Sequence, residues 1–372
     1  MARPKKEVSE EKAENKAVKY DLSKIDSVIM DIKKELSEDV VIDVDKIPEI
    51  PRIPTRSPVI GYIFGAGGTP EGRIIELYGP ESSGKTLVAQ NIMADFQKEG
   101  KFVAMVDAEF SFDAKYAKIQ GLDVSPDKFK LFQPNCGEDA FTIVERLAES
   151  GQVSCITVDS IAALVPIAEM NGEMTDQQMG AQARMIGKGL RKIAGICSKN
   201  KCTIIFINQL RMKIGVMFGN PETTPGGNAL KFWASIRCEV RKGEKDEGEK
   251  DEDAVGIKAR IKNVKNKTSV PFRKGEIFIS FKDGIDIYGE YVDFAVSMEI
   301  IKKGGAWFTI GEERIQGRKN VIETLKNNEV LFNEIKSKVD ERLRGDPIQD
   351  VELPETIKEV DERSLAEQAL GV

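Results

Sequence analysis

The chain has 372 residues, 41% hydrophobic and 31% charged, a make-up that fits a globular protein of one large and one small domain, or of two domains. Histidine is absent, which excludes Ser–His and His–metal chemistry, and five scattered cysteines with no C-x-x-C pair argue against zinc and disulfides and for a reducing, cytoplasmic setting. The net charge of −6 sits wholly beyond Gly345, where eight acids face two bases, so bulk charge does not argue for nucleic acid and any such site must come from local clustering.

The first 50 residues are highly charged and lack the apolar core of a signal peptide, and no apolar run in the chain approaches the roughly 18 residues of a membrane span. Leu22, Ile25, Val28, Ile29 and Ile32 recur at three and four residues, which predicts a polar helix with one apolar face. Pro48, Pro51, Pro54 and Pro58 predict an extended connector. Strands are expected at 73–78, 102–107, 154–159, 203–208, 235–240, 256–264 and 276–281. The early ones are apolar runs separated by helices, the pattern of a mostly parallel sheet covered on both faces, and the later ones follow closely enough to be antiparallel. Residues 244–253 form a charged insertion. From Ile287 the pattern turns helical with one Gly-rich turn, which predicts a small second domain, and the tail from Asp346 reads as disordered.

The most informative stretch is Gly79-Pro80-Glu81-Ser82-Ser83-Gly84-Lys85-Thr86, which fits G-x-x-x-x-G-K-[ST] at every fixed position between a predicted strand and a predicted helix from Lys85 to Phe96. Backbone N–H groups and the positive helix end would gather around a polyphosphate, with Lys85 reaching the β/γ-phosphates and the Thr86 hydroxyl on Mg²⁺. Three further strands end in polar groups, at Asp107-Ala108-Glu109, at Asp159-Ser160 and at Asn208-Gln209. Asp159 fits the carboxylate that holds Mg²⁺, although an Asp closing a strand is also a common helix cap. Glu109 is the candidate general base for ATP hydrolysis, and Gln209 is placed to sense the γ-phosphate. A long Gly/Pro/polar loop follows, in which Arg211 and Lys213 suit phosphates and Met217 and Phe218 suit wedging or stacking on bases. A second loop near 170–174 precedes a helix bearing Arg184, Lys188, Arg191 and Lys192, a basic face that solvation alone would explain.

Together these stretches resemble the bacterial RecA recombinases. The resemblance is carried by Gly65-Ala66-Gly67-Gly68, the phosphate loop and Val106-Asp107-Ala108-Glu109. It continues through residues 158–166 and 206–232, Val264-Lys265-Asn266-Lys267 and Gly304-Gly305-Ala306-Trp307, and so spans about 60–345. It implies an α/β fold: a RecA-type P-loop NTPase core at 51–286 with a mostly parallel central sheet, an N-terminal helical extension at 1–50 for oligomerisation, a small α+β C-terminal domain at 287–345, and an acidic tail at 346–372. It implies that Glu109 is the catalytic glutamate, that Asp113 and Tyr116 hold and stack the adenine, that Asp159 attends Mg²⁺, and that Gln209 couples the γ-phosphate to DNA loops. Those loops match 170–179, with Met179, Gly180 and Arg184 at its end, and 210–224. The second carries Arg211, Lys213, Gly215, Val216, Met217 and Phe218 and is followed by Gly226, Gly227 and Asn228. Lys265 and Lys267 match lysines that reach a neighbour's ATP, and Phe232 matches an interface residue.

The implied activity is ATP- and Mg²⁺-dependent filament formation on single-stranded DNA and strand exchange with homologous double-stranded DNA. A LexA-like repressor and mediator or loader proteins are implied as partners. A hexameric helicase or motor, and a nucleotide-switched scaffold, are alternatives on the same core. The first 50 residues and Pro225 depart from the family pattern, which suits a mobile-element or viral relative.

Overall fold

The computed structural model describes residues 21–37, 40–42, 44–46, 49–172, 180–212, 222–246 and 255–345. The chain divides into two compact units, Met1–Glu49 and Ile50–Val372. In the first, α1 (Leu22–Glu35) forms where the three-and-four spacing predicts it, and Leu22, Val28 and Ile25 on it are exposed.

The second unit begins with β1 (Arg52–Pro54), α2 (Pro58–Phe64) and β2 (Gly68–Pro70), with β1 and β2 antiparallel. This corrects the expectation of an extended connector. Pro54 ends a strand, and Pro58 occupies the first turn of α2, where its missing N–H costs nothing. Ser57 caps that helix by accepting from the Ile60 N–H at 3.2 Å.

The core alternates strands and helices. It runs β3 (Ile74–Gly79), α3 (Lys85–Lys98), β4 (Phe102–Asp107), α4 (Ala114–Ile119), β5 (Phe129–Phe132), α5 (Gly137–Glu149), β6 (Val153–Asp159), α6 (Ile167–Met170), α7 (Ala181–Lys199) and β7 (Thr203–Gln209). A short antiparallel pair, β8 (Arg211–Met212) and β9 (Glu222–Thr223), is followed by α8 (Ala229–Trp233). Then come β10 (Ile236–Asp246), β11 (Gly256–Asn266), β12 (Lys274–Ser280) and β13 (Gly284–Ile285). One nine-stranded sheet joins them in the order β13-β12-β11-β10-β3-β7-β6-β4-β5. From β10 to β5 the pairing is parallel, and from β10 to β13 it is antiparallel, as the short connections predict.

Period-two alternation assigns side chains to the two faces of this sheet. Ile75, Leu77, Val103 and Met105 pack with Ile92, Met93 and Phe96 of α3, and Ile74, Ala104, Val106, Ile156 and Val158 pack toward α5 and α7. Each fully buried Ile or Leu contributes about 1.5–3 kcal/mol. On α7, Ile186, Leu190, Ile193 and Cys197 are buried at helical spacing, while Arg184, Lys188, Arg191 and Lys192 face solvent.

The C-terminal region holds α9 (Ile287–Ser297), a three-stranded antiparallel sheet of β14 (Lys302–Gly304), β15 (Trp307–Ile310) and β16 (Glu313–Gln316), then α10 (Arg318–Asn327) and α11 (Glu329–Arg344). Its Tyr291, Phe294, Val321, Leu325, Ile335 and Val339 belong to the same buried cluster as the α3 face. The small sheet with its three helices is the α+β domain that the resemblance implies, where the residue pattern alone shows only helices and one glycine turn. Its strands are only three or four residues long, and of β15 only Phe308 is buried. Among the described residues, no helix is long and apolar enough to cross a membrane.

Candidate nucleotide site

The site gathers at the carboxyl ends of the parallel strands, where open α/β sheets bind ligands. Gly79 ends β3 beside Gln209 of β7, and Asp107 ends β4 beside Asp159 of β6. The loop after β3 turns through Gly84, whose φ of +91° a Cβ-bearing residue rarely adopts, and α3 starts at Lys85. Ser83 Oγ and Lys85 Nζ both donate to the Pro80 carbonyl, at 2.9 and 2.5 Å, while Glu81 and Ser82 are exposed. Burial lowers the Lys85 pKa, against Asp159, Glu109 and Glu81, which raise it. An ammonium held with little water is a strong partner for phosphate oxygens.

Thr86 and Asp159 meet. The Thr86 hydroxyl donates to Asp159 Oδ2 at 2.7 Å. Asp159 is 3% exposed, and its pKa is pushed up to about 6 by burial; the Thr86 hydrogen bond and Lys85 oppose the rise, while Glu109 and Asp107 add to it. Its carboxylate is engaged by Thr86, and the short turn after β6 has Ser160 at its N-cap position with no side-chain cap bond. A hydroxyl beside a buried, poorly compensated carboxylate is a hard-oxygen set that fits Mg²⁺. Among the described residues, no three His, Cys, Asp or Glu side chains are grouped to hold a metal. Two protein oxygens suit Mg²⁺, which takes its remaining ligands from phosphates and water.

Glu109 lies just past β4, exposed, with Oε1 accepting from Gln209 Nε2 at 3.0 Å and from Ser160 Oγ. One carboxylate thereby joins the ends of three strands. Asp107 below it is fully buried and accepts from the Ser111 and Phe112 N–H groups at 3.2 and 3.1 Å, which shapes the turn carrying Glu109. Asp113 caps α4 by accepting from the N–H groups of Lys115 and Tyr116 at 2.8 and 3.1 Å, and this fixes Tyr116 at the first turn.

The segment after Gln209 is held at both ends. Arg211 and Met212 pair with Thr223 and Glu222, and Arg241 forms an ion pair with Glu222. Gly226 has a φ of +84°, and a Cβ there would lie 2.7 Å from Ile186 Cδ1. Gly227 and Asn228 are exposed just before α8, and Gly180 precedes α7 with Arg184 exposed beyond it. Met179, Lys213, Gly215, Val216, Met217 and Phe218 lie outside the described residues.

Lys265 and Lys267 stand together at the end of β11. Lys265 Nζ donates to the Lys231 and Phe232 carbonyls at 2.6 and 3.0 Å, and Lys267 Nζ donates to the Phe232 carbonyl at 3.4 Å. Burial, with Lys267 and Arg237 adding, pushes the Lys265 pKa down to about 8. Lys265 pairs with Arg237 of β10, past the stretch of β11 that pairs with β12, and Lys267 follows the strand. Phe232 on α8 is 72% exposed.

Reading the sequence alone names Asp107, Ser160 and Asn208 at the strand ends without giving them a role, and passes over Glu76 and Arg237. Glu76 is visible as the lone charge in β3.

A family model for the RecA N-terminal domain matches residues 23–286, and one for the RecA C-terminal domain matches residues 289–344. Curated relatives named Protein RecA include one from Herpetosiphon aurantiacus, 49% identical over 304 residues, 82% of this chain and 84% of the relative. One from Chloroherpeton thalassium is 44% identical over 345 residues, 92% and 95% of the two chains. One from Geobacter sulfurreducens is 47% identical over 320 residues, 85% and 93%. With both domain models matched in order over the strand ends that build this site, the chain belongs to the RecA family, the DNA-dependent ATPases that act as recombinases in DNA repair and recombination.

Proposed function

We propose that this chain binds ATP with Mg²⁺ at residues 79–86, assembles as a helical filament on single-stranded DNA, and exchanges strands with homologous double-stranded DNA. Lys85 and the backbone of the loop hold the phosphates, Thr86 and Asp159 hold the metal, and Asp113 and Tyr116 flank the adenine. Bound Mg²⁺ supplies neutralisation of the phosphate charge. Glu109 orients the attacking water and takes its proton on a carboxylate oxygen. Gln209 reports the state of the site to the loop at 210–224, which binds DNA with Arg184 and the 170–179 loop. Lys265, Lys267 and Phe232 act across the subunit boundary. The domain limits 51–286 and 287–345, the acidic tail at 346–372, the cytoplasmic setting, and a LexA-like repressor and loader proteins as partners complete the reading.

The observation that carries it is the contact of Glu109 with both Ser160 and Gln209. The general base shares a hydrogen bond with the residue that opens the second loop, so a DNA-induced shift of that loop reaches the hydrolytic group directly. ATP hydrolysis measured with and without single-stranded DNA tests this. The wild type should be strongly stimulated, and Glu109→Gln, which keeps shape and loses the base, should bind ATP yet fail to turn over. Equal wild-type rates with and without DNA, or undiminished turnover by Glu109→Gln, would overturn the reading.

A further inference from the structure

β3 carries one charged side chain, Glu76, and it is fully buried in the middle of the nine-stranded sheet. A buried carboxylate is costly unless it is paired and hydrogen-bonded. Its two neighbouring strands meet that need. Arg237 of β10 donates Nε to Glu76 Oε2, and Asn208 of β7 donates Nδ2 to Glu76 Oε1 at 3.0 Å.

The Asn208 amide has further bonds at both ends. Its Nδ2 also donates to the Pro225 carbonyl at 3.3 Å, just beyond the second loop. Its Oδ1 accepts from the Gln209 N–H at 3.0 Å. A carboxylate is acceptor-only. It therefore forces the NH₂ of Asn208 toward itself and the oxygen toward Gln209. On the other side, Arg237 lies directly opposite Lys265 in the β10–β11 register, and its guanidinium sits over the Tyr78 ring at 4.8 Å. Two like charges meet there, and Glu76 is the nearby anion that offsets them.

We infer that Glu76 is a positioning residue that couples the boundary lysine Lys265, through Arg237 and Asn208, to Gln209 and to the end of the DNA loop at Pro225. The inference rests on the reading above that Gln209 and this loop link nucleotide to DNA. Glu76 touches neither the phosphate loop nor the metal pair; it acts by fixing one orientation of the Asn208 amide.

Glu76→Gln replaces one acceptor by a donor. The remaining oxygen stays with the charged Arg237, where the bond is strongest. The new NH₂ then faces the Asn208 NH₂, and Asn208 must turn over and drop both Gln209 and Pro225. Adding Asn208→Asp restores an acceptor opposite the new NH₂, keeps the total charge, and again accepts from the Gln209 N–H. Only the bond to Pro225 is lost.

The experiment measures ATP hydrolysis with and without single-stranded DNA for the wild type, Glu76→Gln, Asn208→Asp and the double variant. The expected Glu76→Gln result is a DNA-stimulated kcat at least tenfold lower with KM for ATP within threefold of wild type. A merely structural lesion would lower both DNA-free and DNA-stimulated rates together. The double variant should recover at least threefold over either single change. If Glu76→Gln does not fold, the double variant against Asn208→Asp makes the same comparison. Wild-type stimulation of Glu76→Gln by DNA, or a double variant that is no better than its parents or does not fold, overturns the inference alone. Absence of DNA stimulation in the wild type overturns the reading beneath it as well.

Discussion

Glu290→Gln should remove much of the pH dependence of folding. Glu290 lies in the first turn of α9, 5% exposed, and its Oε2 accepts from Ser57 Oγ at 2.5 Å across to the cap of α2. Burial pushes its pKa from 4.5 up to about 8; the Ser57 hydroxyl and the Val59 backbone oppose the rise, and Asp286 and Asp293 add to it. The folded protein therefore holds a proton that the unfolded chain gives up above pH 4.5. The stability that this proton confers is complete below pH 4.5 and is lost as pH climbs toward 8, at about 1.4 kcal/mol per pH unit. By pH 7 the loss is on the order of 3 kcal/mol. Glutamine matches the neutral acid in shape, keeps an oxygen for Ser57, and cannot ionise. Urea unfolding followed by circular dichroism from pH 5 to pH 8 should show the two proteins within about 1 kcal/mol at pH 5, with the variant gaining about 2–3 kcal/mol by pH 7.5. Asp95 and Asp159, both raised to about 6 chiefly by burial, tilt both curves alike, so the difference isolates Glu290. Parallel curves across that range would show that Glu290 does not carry this proton.

Lys85→Ala should weaken ATP binding at least tenfold in equilibrium titration, because the buried ammonium beside the Pro80 carbonyl is the main cation of the phosphate loop. Arg56→Ala should lower stability by about 3–5 kcal/mol in urea unfolding, since it strands the buried Asp95 carboxylate and frees the Asn91 and Gln120 carbonyls that the same guanidinium holds. Lys265→Ala with Lys267→Ala should abolish ATP-dependent filaments in electron micrographs while the melting temperature stays near wild type.

The phosphate loop was fully legible, because every group it needs lies within eight consecutive residues. So were the strand ends at Glu109, Asp159 and Gln209, since each closes an apolar run with a polar residue. The joining of Glu109 to Ser160 and Gln209 was not, because it depends on β4, β6 and β7 lying side by side, an order no local pattern states. The same holds for Glu76: a lone acid in an apolar strand announces a buried charge, but its partners come from residues 132 and 161 positions away. The bonds of Lys265 and Lys267 to the last carbonyls of α8 were equally hidden, because α8 and the end of β11 lie more than 30 residues apart in the chain. The C-terminal sheet was implied by the resemblance alone, since its strands are too short to show alternation.

On the proposed function, nucleotide-gated assembly on DNA serves homology-dependent strand exchange. Its most direct test is a joint-molecule assay with ATP and Mg²⁺, in which single-stranded DNA is incubated with a homologous or a heterologous duplex. Joint molecules should form with the homologous duplex alone, and should require hydrolysable or slowly hydrolysed ATP and an intact Lys85. DNA-stimulated hydrolysis without joint molecules, or unwinding of either duplex regardless of homology, would mean that the chain is a motor or a scaffold and not a strand-exchange protein.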